Sequence, residues 1–77
     1  MSAPVDWQRE ARRVLRAELA RKDIGYKALS RALESVGVEE TAKALSNKIN
    51  RGAFGFAFFL QCMRALDIDV VRLKDPR

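Results

Sequence analysis

Residues 26–52 read YKALSRALESVGVEETAKALSNKINRG. Leu29, Leu33 and Val36 follow Tyr26 at i, i+4 and i+7 spacing, and at about 100° per residue they fall on one side of a helix. Lys27, Arg31 and Glu34 fall on the other side. Gly37 comes just past the last apolar position, where a left-handed helix C-cap favours glycine. After a turn at Gly37-Val38 the pattern resumes with Ala42, Leu45 and Ile49 and is closed by Gly52. The spacing predicts helices over 26–36 and 40–51, a pair of short amphipathic helices joined by a glycine-containing turn.

The flanks extend the same pattern. Trp7, Ala11, Val14, Leu15 and Leu19 converge on one face and predict a first helix over 5–22, with Asp6 near its positive end, Arg21 and Lys22 near its negative end, and Gly25 stopping it. Phe56, Phe59, Cys62, Met63 and Leu66 share a face of a fourth, very apolar helix over 56–66. The tail, 68–77, is too short for its period to separate a strand from a helical turn. The expected architecture is all-α: one domain over 1–77, a bundle of four to five short helices.

Composition narrows the chemistry. The chain has 77 residues, 15 Lys plus Arg, 10 Asp plus Glu, no His and a single Cys. Without His the usual neutral-pH acid/base and the commonest metal ligand are missing, and Ser-His-Asp and Cys-His nucleophiles are excluded. Cys62 alone makes neither an internal disulfide nor a zinc site. No enzyme, cofactor or metal centre is expected, and no small-molecule substrate is evident. No stretch approaches the roughly 20 apolar residues of a membrane span, and the N-terminus lacks a basic-then-apolar export signal, so a cytoplasmic location is expected. A net charge of +5 and a pI near 10.0 point toward a polyanionic partner.

The helix pair suggests which one. In a helix-turn-helix one helix crosses the duplex backbone and the next enters the major groove. The outward face of the 40–51 helix carries Glu40, Lys43, Asn47, Asn50 and Arg51. Asn can contact adenine in bidentate fashion, Arg and Lys can donate to guanine, and either cation can neutralise phosphate. The same polar residues would equally serve a solvated surface.

Leu29-Ser30, the Gly37-Val38 turn, Ile49-Asn50-Arg51-Gly52 and Ala65-Leu66-Asp67-Ile68 resemble the lambda-repressor-like, or Xre-type, helix-turn-helix family, over about Leu15 to Ile68. More closely, Trp7, Leu15 to Ala20, Gly37 to Thr41, Asn47-Lys48-Ile49 and Phe58-Phe59-Leu60-Gln61-Cys62 are similar to a small bacterial family of unknown function. The first resemblance implies double-stranded DNA as partner, a role in transcription regulation and association with the nucleoid. It implies phosphate contacts from Tyr26 and Lys27, reading of the groove by Lys43, Asn47 and Lys48, and a backbone contact from Arg51; Arg31 and Asn50, on the outer faces of the two helices, are further DNA-binding candidates. The chain departs from that pattern in two ways: both helices of the unit are about one turn longer, and Glu39 and Glu40 stand where the family often presents neutral polar groups. Acids there would also stabilise the start of a helix through its dipole.

Four further features have structural and functional readings. Tyr26 could pack its ring on Leu29 instead of meeting phosphate. Arg9, Arg12, Arg13 and Arg16 form a stripe on the first helix that is either solvated or a flanking phosphate contact. Glu18 projects from the apolar face of that helix and calls for a cationic partner, for which Lys48 or Arg51 is expected. Helix 56–66 with Val70, Val71 and Leu73 either packs wholly inside or forms a homodimer surface, while Cys62 reads as a buried, inert thiol. The competing functional class is a protein-interaction module on the same scaffold, holding an acidic or apolar partner.

Overall fold

The structure, a computed structural model, describes residues 4–74. Four helices follow in order: α1 Trp7–Arg21, α2 Tyr26–Glu34, α3 Ala42–Arg51 and α4 Phe56–Ala65. Among the described residues there is no strand, and no helix is long and apolar enough to cross a membrane.

Helix starts are set by caps. The Asp6 carboxylate accepts from the Arg9 N–H at 3.1 Å, and Thr41 Oγ1 accepts from the Ala44 N–H at 3.1 Å. These two short side chains satisfy first-turn donors that the helices cannot satisfy internally. They place the start of α1 at residue 7 instead of 5 and that of α3 at residue 42 instead of 40, so Glu39 and Glu40 precede α3. Gly25 and Gly55 occupy the corresponding positions of α2 and α4 and supply no side-chain cap.

Three helix ends share one device. Asp23, Gly37 and Asp67 have φ of +55°, +80° and +56°. Each donates its N–H three residues back, and the next residue donates five residues back: Ile24 to the Leu19 carbonyl at 2.8 Å, Val38 to Leu33 at 3.0 Å and Ile68 to Met63 at 2.9 Å. This 6→1, 5→2 pattern is the Schellman motif. Asp23, and not Gly25, therefore terminates α1; Gly25 begins α2. Gly37 plays the part its position predicted.

The core is drawn from all four helices. Leu15 and Leu19, Leu29 and Leu33, Leu45 and Ile49, and Phe58, Cys62, Met63 and Leu66 are buried together. Helix α3 packs against both α1 and α2, and α2 packs against α4. Two expectations need correction. Trp7 is 73% exposed although it shares its period with core-facing positions, and Phe56 and Leu60 on α4 are exposed as well. The apolar surface of α4 is thus not wholly packed inside. Residues 68–73 form neither strand nor helix.

The tail is tied to α1 by charge. Arg13 Nη2 donates to the Leu73 carbonyl at 2.5 Å and pairs with Glu10 at 2.9 Å. Glu18, 2% exposed, pairs with Arg21 and accepts the Arg72 N–H at 3.3 Å, with the Arg72 guanidinium at 4.0 Å. The expected partners Lys48 and Arg51 do not reach it, because the carboxylate faces the tail. Burial pushes Glu18 up, but the Arg21 hydrogen bond, the Arg72 N–H and the two cations outweigh it and hold the carboxyl below its ordinary value.

Candidate nucleic-acid interface

Lys43, Asn47, Asn50 and Arg51 lie at i, i+4, i+7 and i+8 along α3, on the side away from buried Leu45 and Ile49. All four are exposed. Lys43, Asn47 and Arg51 make no side-chain hydrogen bond or ion pair among the described residues. Their donors face solvent unspent. The Asn50 amide is partly committed, donating from Nδ2 to Ser46 Oγ at 3.2 Å.

Lys48 is turned away from this face. Its ammonium meets the Glu40 carboxylate at 2.6 Å and sits 4.7 Å from the Phe58 ring centroid, an ion pair combined with a cation–π contact. The same Glu40 accepts from Ser30 Oγ through its backbone carbonyl at 2.5 Å, which ties the loop before α3 to α2. One of the two acids at the start of α3 is thereby neutralised and half-buried. Glu39 remains exposed.

On α2, Lys27 and Arg31 are exposed and unpaired among the described residues, whereas Tyr26 packs its ring partly against the core. The helix begins at Gly25 without a side-chain cap, so its first-turn N–H groups are free to meet an anion. Beside α3, Glu40, Asn47, Lys48, Arg51, Gly55 and Phe58 line an open groove of about 530 Å³. Gly55, the uncapped start of α4, brings a second set of free amides to this side of the molecule. Residue spacing gave no warning of the groove, since Gly55 was legible only as the residue preceding an apolar helix.

The arginine stripe of α1 divides by role. Arg12 Nη1 donates to the Asn50 carbonyl at 2.8 Å and caps the C-terminal end of α3. Arg13 holds Glu10 and the tail, and its hydrogen bond keeps the Glu10 carboxyl below the usual range. Arg9 and Arg16 stay exposed. The stripe is in part a set of struts that position α3 and the tail, a role invisible without the long-range partners.

A family model described as a domain of unknown function (DUF6471) matches residues 7–71. No curated protein and no solved structure shows significant similarity to the chain.

Proposed function

The chain belongs to that family, whose description assigns no activity, and from its own surface we propose that it binds double-stranded DNA as a helix-turn-helix regulator of the Xre type. The observation that carries this reading is the outward face of α3. Lys43, Asn47 and Arg51 are exposed there, lie at helical repeat and have no partner among the described residues.

In this reading α3 enters the major groove. Asn47 offers the donor and acceptor pair that suits adenine, and Lys43 and Arg51 donate to guanine or phosphate. Lys27, Arg31 and the free amides at the start of α2 hold the flanking backbone, positioning without reading. Lys48 acts indirectly, since it is spent on Glu40 and Phe58. Asn50 contributes what its bond to Ser46 leaves open. The remaining exposed acid, Glu39, sets a local repulsion that restricts how α3 docks.

The test is a titration of mixed genomic DNA fragments with the purified protein over a salt series. The wild type should bind with a steep loss of affinity as salt rises. Lys43→Ala with Arg51→Ala should flatten the log–log slope by about 2, since each phosphate contact contributes about 0.9. Absence of binding at low salt would overturn the proposal and favour the protein-interaction module.

A further inference from the structure

Helix α4 turns Phe56, Leu60 and Arg64 outward. Spaced at i, i+4 and i+8, they form one ridge about 12 Å long at 1.5 Å per residue. Phe56 is 72% and Leu60 51% exposed. Arg64 is exposed, and its side chain has no partner among the described residues. Phe56 stacks on Phe59 at 6.1 Å, and beyond them an open apolar groove of about 430 Å³ runs to Trp7, Val14 and Leu73.

The ridge is symmetric about its middle residue. Leu60 stands four residues from both Phe56 and Arg64. A two-fold axis beside Leu60 would set two α4 helices antiparallel, put Leu60 against its copy, and lay each Phe56 ring beneath the other copy's Arg64. Those pairings are apolar on apolar and cation on aromatic face, and both are favourable. Such an interface is isologous: one patch serves both sides.

Charge and area agree on the occupant. Helix α4 has no acidic residue and Arg64 as its sole cation, so two copies meet here without the repulsion that a net charge of +5 would cause elsewhere. A strongly charged partner would find only Arg64 on the ridge and, in the groove, Glu10, which Arg13 already holds. Trp7 and Phe56 are about three-quarters exposed, and since such side chains bury roughly 150–250 Å² in full, each offers roughly 110–190 Å². With Leu60, Leu73 and the groove walls the patch approaches the roughly 500 Å² per copy that the smallest specific interfaces require.

We infer that the α4 ridge and its groove form a homodimer interface, an antiparallel α4 pair centred on Leu60. The inference does not depend on DNA binding, and neither result decides the other.

Sedimentation equilibrium of the full chain at tens of micromolar tests it. The expected mass is twice the 8.7 kDa of the chain. Leu60→Asp should return the monomer mass with helical circular dichroism and melting temperature retained, because Leu60 lies outside the core. Arg64→Ala should weaken the dimer roughly 5- to 30-fold, as two symmetry-related cation–π contacts are lost. Leu60→Cys should give a disulfide-linked dimer on mild oxidation, Cys62 being buried. A monomer mass throughout, which would leave the face to another protein, overturns the inference. So does a dimer that neither Leu60→Asp nor Leu60→Cys affects.

Discussion

A Cβ placed on Gly52 would lie 2.0 Å from the carbonyl oxygen of Gln8. The cap of α3 and the first turn of α1 meet backbone to backbone, a distance only glycine permits. One turn further along α1, Arg12 donates to the Asn50 carbonyl. Helix α1 thus holds the end of α3 at two points four residues apart, which fixes the direction in which the Lys43, Asn47 and Arg51 face is presented.

Gly52→Ala should therefore be severely destabilising. The new Cβ strains a left-handed φ of +71° and collides with Gln8, and the combined loss should be on the order of 2–4 kcal/mol. In thermal unfolding this appears as a drop of about 10 °C or more for a domain of this size. Arg12→Ala should cost about 1 kcal/mol, the worth of one such hydrogen bond. A Gly52→Ala variant that melts with the wild type would show that the two helices do not touch here.

The left-handed aspartates offer the opposite effect. Asp23 and Asp67 adopt a conformation that glycine enters without steric cost, and each puts a carboxylate near the negative end of a helix. Asp23→Gly and Asp67→Gly should each stabilise the protein by about 0.5–1 kcal/mol. Urea denaturation curves of the two variants measure this directly, with Gly37→Ala losing stability as the control.

Glu18 makes stability depend on acid. Its carboxyl is held below its ordinary value in the folded chain. The stabilisation is complete above the unfolded-state value and disappears as pH falls through the folded one. Glu18→Gln should be less stable than wild type by about 1–3 kcal/mol at neutral pH, because the buried partners lose a charge-assisted acceptor. The gap should narrow as pH falls through the carboxyl's lowered folded-state value and vanish once the wild-type carboxyl is protonated in the folded chain. A gap of constant size across that range would mean that the charge contributes nothing.

Cys62 should resist thiol reagents in the native state. Burial pushes its thiol up to about 11; Lys48 works against that shift and Glu40 adds to it. At pH 8 only about one thiol in a thousand is then ionised. Modification by a disulfide reagent should proceed at the rate of unfolding, accelerating with added urea. Rapid labelling without denaturant would contradict the buried placement.

The sequence made the interior legible and left the ends of elements and the long-range pairs obscure. Leu29, Leu33, Leu45 and Ile49 are legible because burial imposes a period of 3.6 on residues that no other force arranges that way. Asp23 is not legible as a helix stop because glycine is the usual left-handed residue and Gly25 lies two positions away. Trp7 kept the period of the core-facing residues while standing exposed at the rim of a groove. Of the partners of Glu18, Arg21 stands one turn away at i+3, but Arg72 lies 54 residues along the chain, beyond anything local spacing reports. Of the candidate site, the exposure of Lys43, Asn47 and Arg51 follows from the same period that buries Leu45. The diversion of Lys48 to Glu40 depends on a loop turned toward α2, which no pattern of residue types announces.

The exposed indole has an optical consequence. Trp7 is the sole tryptophan of the chain and stands at the edge of the apolar groove, away from the buried core. Its fluorescence is that of a solvated ring whenever the groove is open, and it is nearly blind to core packing. A blue shift at constant circular dichroism is thus a direct optical record of the groove being covered, obtained from the natural chain without any attached dye.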